Sequence, residues 1–410
     1  MRSPLLRALG DPAIALLWGG LATSAIGDQL FTVVLSWVAV GAFGTAAGYL
    51  TVLQGAASLG VLLFVGHLTD RLNPLRVMAA ADLARAAVLA VTVAVWLATG
   101  AAQGWTLVAC VVVLAGGMSF FRPAMQASLP GLARDAAMLP GANALLDTTE
   151  RIARLLGPGL VGLASALVPL VHFVSLDVMT FAISAVAVMG VARVRAVPAS
   201  RAAAGEPALA AMVRGVRVVR AHGVLGFVLA CTGLMNGAWY AAFFLGLPLI
   251  IAKAEPGAAG LAQYGMMISA YGSANVLGTL VMGSRALPVR PGLWIAAGNA
   301  VLGGGILLLG LVAAFAPAKW LVPGLAVASA ISAFGGPMQD ITVAVLRQTE
   351  LPRADLPAAV RAFMAVNALG LLLTPAVMPV LFDGLGVPAA VMLCGGAILV
   401  LAGLGVRRFR

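Results

Sequence analysis

Asp28 is an acid in an otherwise apolar stretch, and it lies on a stripe of hydroxyls, Ser24, Thr32 and Ser36, spaced four residues apart. That spacing puts all four side chains on one helix face. Such a stripe must face water or another helix, because hydrocarbon leaves polar groups unsatisfied. A carboxyl there can take up and return a proton, bind a cationic substrate, pair with an arginine or cap a helix. Arg122 shares a face with Ser119 and Gln126, and it lies near enough to a span end to snorkel to the surface. Asp147, Glu150, Arg151 and Arg154 form two acid-first i,i+4 pairs, which suits a structural charge cluster near a gate. Glu150 is also a candidate for proton coupling. Asp82 and Arg85, three residues apart, have the spacing of a structural pair. Asn236, Trp239, Tyr240 and Phe243 make a polar–aromatic helix face, fit for an amphipathic ligand or for plain packing. With Ser24, Thr32, Gln126 and Gln339, the residues Asn236, Trp239 and Tyr240 are candidates to line a substrate cavity.

The elements that must position these residues are membrane spans. Of 410 residues, 62% are hydrophobic and only 10% charged, against about 25% charged in soluble domains. Mean hydropathy is +1.05. A span needs about 20 apolar residues. The hydropathy pattern predicts spans at 12–42, 46–68, 77–99, 104–127, 140–167, 170–192, 224–252, 260–283, 291–315, 320–345, 357–382 and 386–406. The expected fold is therefore an all-α polytopic membrane protein, with twelve transmembrane helices in two pseudo-symmetric six-helix bundles. Residues 1–192 and 223–410 form the bundles, and 193–222 is a basic linker with six arginines. The run after Arg2 and Arg7 is too long for a signal peptide and is read as a retained first span.

Basic residues orient the chain. Connectors after even-numbered spans hold Arg71, Arg76, Arg134, Arg285, Arg290, Arg347 and Arg353, as well as the linker arginines. Arg407, Arg408 and Arg410 end the chain, while the lysines, Lys253 and Lys319, fall on the opposite side. Both termini should be cytoplasmic, in a bacterial-type inner membrane. The net charge of +11 is better explained by anionic headgroups than by nucleic acid. The halves echo one another: Pro123-Ala124-Met125-Gln126 matches Gly336-Pro337-Met338-Gln339, and Gly157-Pro158 matches Thr374-Pro375. Repeats of this kind place a binding site near mid-membrane between two halves.

Two motifs make the reading specific. Gly66-His67-Leu68-Thr69-Asp70-Arg71-Leu72-Asn73-Pro74-Leu75-Arg76 is a polar turn between two spans, and Gly157-Pro158-Gly159-Leu160-Val161-Gly162 lies inside another. The chain resembles the major facilitator superfamily of transporters. The first stretch is similar to its loop 2–3 motif, matching at Gly66, Asp70, Arg71 and Arg76 but departing at Leu75; the second is similar to the fifth-helix motif of its exporters, with Gly157, Pro158 and Gly162 for helix packing. Ile26-Gly27-Asp28, Phe121-Arg122-Pro123-Ala124 with Ser128-Leu129-Pro130, Ala142-Asn143-Ala144-Leu145 and Leu176-Asp177 resemble the twelve-span drug/proton antiporter branch with macrolide-efflux and enterobactin exporters. The resemblance implies a proton-coupled exporter of small amphipathic molecules, a drug or a siderophore, working by alternating access. It also implies a cytoplasmic gate at the loop motif and an arginine in the fourth span associated with proton transfer. The alternative is a lysophospholipid transporter of the same fold, since such a protein shares the Gly-Asp in its first span.

Other classes are disfavoured. Cys110, Cys231 and Cys394 lie in apolar runs without ligand spacing, so no metal or disulfide framework is expected. The glycine run at 303–305 lacks a following Lys-Ser/Thr, so no nucleotide loop and no cofactor is expected. His67, His172 and His222 have no catalytic partner in sequence, and the chain is not read as an enzyme. The expected partners are a small amphipathic substrate, protons and the lipid bilayer, with no nucleic acid, around a monomer. The arginine distribution yields a direct test. A cysteine introduced at Ala204 should resist a membrane-impermeant thiol reagent in intact cells and react once the membrane is opened; efficient labelling from outside would invert the topology.

Overall fold

A computed structural model describes residues 9–61, 72–134, 138–165, 167–195, 197, 208–285, 288–352 and 355–410. Among these residues the chain is all-α. The helices are α1 (Pro12–Phe43), α2 (Gly48–Gly60), α3 (Pro74–Thr99), α4 (Gly104–Leu132), α5 (Leu139–Ala164), α6 (Leu170–Val194), α7 (Ala208–Ala221), α8 (Gly223–Tyr240), α9 (Leu247–Ala254), α10 (Ala258–Gly283), α11 (Pro291–Phe315), α12 (Ala318–Glu350), α13 (Leu356–Leu385) and α14 (Val387–Phe409). Among the described residues, nine helical stretches are long and apolar enough to cross a membrane; the first, Pro12–Gly60, contains both α1 and α2. The protein is a multi-pass, all-α membrane protein, and the order of its long helices is compatible with twelve crossings.

Local sequence explains the boundaries. A 3₁₀ turn, Gly44–Ala47, joins α1 to α2, and Gly44 takes a φ of +55° there, where a side chain would be strained. Asn73 caps α3 by accepting from the N–H groups of Leu75 and Arg76, with Pro74 in the first turn. Gly100 ends α3 in the left-handed conformation. Prolines lie inside α4 (Pro123, Pro130), α5 (Pro158), α12 (Pro323, Pro337) and α13 (Pro375, Pro379). Membrane helices tolerate them because neighbours can satisfy the freed carbonyls. The basic linker holds a helix of its own, α7.

The chain divides into two compact units, residues 1–42 with 56–205, and 43–55 with 206–410. In the first, α1 packs on α6, where Gly20 faces Ala187 and Ser184. In the second, α11 is a hub. Gly298 and Gly335 let α11 and α12 meet backbone to backbone, and Gly303 and Gly310 do the same towards α14. Gly233 meets Gly370 where α8 crosses α13, and Gly215 of α7 rests on the backbone at Ala358, at the start of α13. Close backbone approach is what holds helices together in lipid, where apolar burial gives little drive.

One end of the first unit is tied by charge. Asp11 caps α1 through the amides of Ala13 (3.0 Å) and Ile14 (3.3 Å). Its other oxygen binds Arg134 (3.1 Å) and Arg195 (3.0 Å), and Arg195 also donates to the Leu132 carbonyl. Asn73 adds a bond from its side-chain amide to the Val197 carbonyl, 2.8 Å. The ends of α4 and α6 and the starts of α1 and α3 are thereby linked. Burial alone would push the Asp11 carboxyl up, but the Arg195 hydrogen bond and the Ile14 and Ala13 amides together hold it below the ordinary carboxylate value. The tie therefore stabilises the fold above the unfolded-state value near pH 4 and is lost as pH falls through the lower folded-state value. Replacing Asp11 by Ala should cost about 1–3 kcal/mol, mostly the lost cap and the half-buried Arg195 pair, since the Arg134 side of the tie is solvent-screened. The check is thermal unfolding in detergent: the variant should melt lower at neutral pH, and its deficit should shrink in acid.

Candidate functional site

The first unit concentrates its buried charge on α1, α3 and α6. Arg85 of α3 is 2% exposed and binds Asp82, which is fully buried, one turn earlier. The guanidinium lies between two rings, its carbon 4.8 Å from the Phe121 centroid and 4.4 Å from that of Phe181. A planar, weakly hydrated cation suits such a slot. Gly117 of α4 makes room for it, since a Cβ there would stand 3.0 Å from the Arg85 stem. Asp177 of α6 is buried, and its Oδ1 lies 2.9 Å from the Thr180 hydroxyl. Gly27 of α1 packs directly on Thr180 Oγ1 and Asp177 Oδ1.

Asp28 follows Gly27 and is half-buried. Its carboxyl lies within electrostatic reach of Arg85, Asp82, Arg122 and Glu150. No basic residue stands near it in sequence, yet two stand near it in space. Thr32 and Ser36 donate to carbonyls four residues back on their own helix, at 2.7 and 2.9 Å, and Ser24 is buried.

Arg122 of α4 pairs with Glu150 of α5 at 2.9 Å, with the side chains 49% and 39% exposed. Glu150 thus bonds across helices, and the within-helix Glu150–Arg154 pair expected from spacing is not the one formed. The pair crosses open surroundings, so it contributes about 0–1 kcal/mol and can break readily. Gln126, one turn further along α4, is exposed. The side chains of Asp147 and Arg151 lie outside the described residues, as do Gly66, Asp70 and Arg71 of the loop motif. Arg76 is exposed in the first turn of α3. The α1–α5 seam is tight: Trp18 Nε1 donates to Thr149 Oγ1 at 2.8 Å, and Gly157 lies directly on the Gln29 side chain. Pro158 sits within α5, and Gly162 is buried, its carbonyl accepting from Ser165 Oγ at 3.1 Å.

The second unit holds an aromatic cluster. Trp239 of α8 meets Phe243 (6.2 Å between centroids), Phe244 (5.6 Å) and Tyr271 of α10 (5.9 Å), and Tyr240 stacks on Phe244 at 4.9 Å. Phe243 and Phe244 lie in a π-helical segment, Ala241–Gly246, between α8 and α9. Such a bulge changes the helix period and is frequent at functional sites. The Phe243 carbonyl accepts from the Tyr264 hydroxyl at 3.3 Å. Trp239 Nε1 and Ser269 Oγ are buried without a hydrogen-bond partner among the described residues. Tyr240 bonds to Thr51, and Asn236 is half-buried. Gln339 is buried in α12, apart from these rings in sequence. His222, read as structural, caps α8 by accepting from the Leu225 amide at 3.1 Å.

Sequence reasoning named Trp239, Tyr240 and Phe243 but not Phe244, or Tyr271, which reaches the cluster from another helix, α10. It read Asp82 and Arg85 as a structural pair and gave Asp177 a packing or gating role. The signal for Asp177 was the hydroxyl at i+3, which has no value until Gly27 of another helix covers both. Gly157 sets the prediction here. A leucine at this position would collide with Gln29, and overpacking of a tight seam costs about 1–3 kcal/mol. Gly157→Leu should lower the detergent melting temperature, whereas an unchanged melting point would show that α1 and α5 can part freely.

The profile of a family described as transmembrane secretion effectors matches residues 4–403. No curated protein matches the chain in sequence. Solved structures align over nearly the whole chain. The nucleoside transporter NupG superposes with a TM-score of 0.72 at 12% identity, covering 97% of this chain and 99% of that one. The POT family transporter PepTSo gives 0.73 at 12% identity, covering 97% of each chain. A POT family transporter in complex with a thioalcohol-conjugated peptide gives 0.68 at 12% identity, covering 98% of this chain and 96% of that one. At such identity these likenesses speak for the fold alone.

Proposed function

We propose, on the premise that the chain belongs to the transmembrane secretion effector family, that this membrane transporter is a proton-coupled exporter of small amphipathic molecules. The half-buried Asp28 carries the reading. It is the one carboxyl of the α1 stripe, and a buried arginine and a breakable Arg122–Glu150 pair lie within its electrostatic reach. Its partners give the proton a use, because a change in its charge alters the pull on Arg85 and Arg122.

The aromatic cluster of the second unit supports the substrate class. Rings offer apolar surface, and the unpartnered Trp239 Nε1 offers one donor to an acceptor on the ligand. Asn236 and Ser269 add polar contacts nearby. A drug-like or siderophore-like molecule with a ring system and a carbonyl or hydroxyl fits this chemistry. The arginine asymmetry supports an inner-membrane orientation with both termini cytoplasmic.

Purified protein in proteoliposomes under an imposed pH gradient gives the test. Wild-type should move an amphipathic substrate against its gradient and stop when an uncoupler is added. Asp28→Asn should keep the fold and bind substrate, yet lose gradient-driven transport by roughly tenfold or more. Undiminished proton-driven transport by Asp28→Asn would remove this residue from the mechanism, and uncoupler-resistant transport of lysophospholipid would favour the lipid alternative.

A further inference from the structure

The starts of α8 and α11 and the end of α14 meet at one end of the second unit. Phe227 of α8 and Phe409 of α14 pack edge to face, with 5.5 Å between centroids. The Phe409 ring also covers Gly292 of α11, where a Cβ would stand 2.5 Å from it. Gly226 of α8 lies against the backbone of Arg220, in the last turn of α7. Arginines surround this junction. Arg220 ends α7, Arg290 immediately precedes α11, and Arg407 and Arg408 lie in the last turn of α14. Arg408 sets its guanidinium carbon 6.0 Å from the Phe227 centroid. Arg217, about one turn before Arg220, shares its helix face. All five side chains are exposed.

Among the described residues this charge has no internal counterpart. None of the five has an acid within ion-pair distance there. The helix α7 contains no acid of its own. The acids at this end are Glu350, last in α12, and Asp355, just before α13, and Asp355 is taken by Arg214. That pair, with Gly215 resting on the Ala358 backbone, holds α7 to α13 on one side and leaves the Arg217–Arg220 face outward. Like charges gathered without acids repel one another, so the arrangement is relieved by an anion from outside.

Two observations favour a lipid surface over a soluble polyanion. Arg220, Arg290, Arg407 and Arg408 stand at the ends of membrane-length helices, the depth at which headgroup phosphates lie. Uncovered apolar side chains also stand among them: Val289, beside Arg290, is 100% exposed, and Val213, one turn before Arg217, is 48% exposed. A soluble anion would leave those valines in water. A bilayer takes both parts, with valines at the acyl boundary and guanidinium groups at the phosphates.

We propose that Arg217, Arg220, Arg290, Arg407 and Arg408 form a seat for anionic phospholipid headgroups, centred on Arg220 and Arg408 beside the Gly226–Phe227 step of α8. A planar guanidinium can grip a phosphodiester through two N–H groups. The Phe227–Phe409–Gly292 contact pins the helix ends, so these charges stand in set places. The seat is independent of proton coupling and of the exported molecule.

Lipid titration of the purified full chain in neutral detergent, followed by native mass spectrometry, tests it. Wild-type should bind phosphatidylglycerol in preference to phosphatidylcholine. Arg220→Gln with Arg408→Gln should weaken phosphatidylglycerol binding roughly tenfold or more. Arg220→Lys with Arg408→Lys, which keeps the charge, should lose much less. Arg217→Gln with Arg290→Gln, which disturbs no ring contact, should weaken binding in the same direction. Lys253→Gln with Lys319→Gln, which removes as much charge at the last turn of α9 and the first of α12, should bind as wild-type does. Equal binding of the two lipids by wild-type, or undiminished phosphatidylglycerol binding by both glutamine pairs, would overturn the seat. Displacement of the lipid by inorganic phosphate would make it a site for a soluble anion, and preference for an oligonucleotide would make it a nucleic-acid surface; either result overturns the lipid assignment.

Discussion

Helices in lipid gain almost nothing by burying apolar surface against each other, and this protein depends on the substitute, close backbone contact through glycine. The seams between α11 and its neighbours, the α8–α13 crossing and the α1–α5 and α1–α6 contacts all have a glycine at their tightest point. Packing at that distance excludes water and side-chain slack together. It is also what makes buried charge consequential here. Where Gly27 presses on Asp177 and Thr180, the Thr180 hydroxyl lies 2.9 Å from both the Asp177 carbonyl and its Oδ1.

The same tightness separates two kinds of polar group in the first unit. Asp82, Arg85 and Asp177 are sealed; Arg122 and Glu150 are open and only weakly bound to one another. Asp28 stands at the boundary between them. The aromatic cluster of the second unit is built differently. The two polar atoms there without a partner among the described residues, the indole N–H of Trp239 and the Ser269 hydroxyl, are neutral.

Much of the fold was legible because one property above all sets a membrane span, hydrophobicity sustained over about 20 residues. Pro123 and Pro337 both lie within helices, as do Pro158 and Pro375. Pairings across helices were not legible. Spacing within α5 favoured Glu150 with Arg154, but Arg122 from α4 lies closer, and an interhelical bond is invisible to a one-helix rule. Arg85 and Arg122, within electrostatic reach of Asp28, are on other helices and so were hidden for the same reason. The helix in the basic linker was missed because its polar face outweighs its apolar one in a hydropathy window, although Val219 and its neighbours bury a real apolar edge against α13.

The slot that holds Arg85 has a consequence for how this sequence can drift. Lysine cannot stand in for arginine there, because a compact, strongly hydrated ammonium neither fills the space between two rings nor reaches Asp82 in the same plane. Gly117 cannot grow while the arginine stem occupies its surroundings. Nor can Asp82 be lost alone, since that would strand a cation, while losing Arg85 alone would strand an anion. Phe121 and Phe181 close the set. Five positions on three helices, distant in the chain, are therefore locked into a single inherited unit. A descendant keeps the whole arrangement or replaces it at once with something apolar of matching volume, and intermediates between those two endpoints are the least stable versions of the protein.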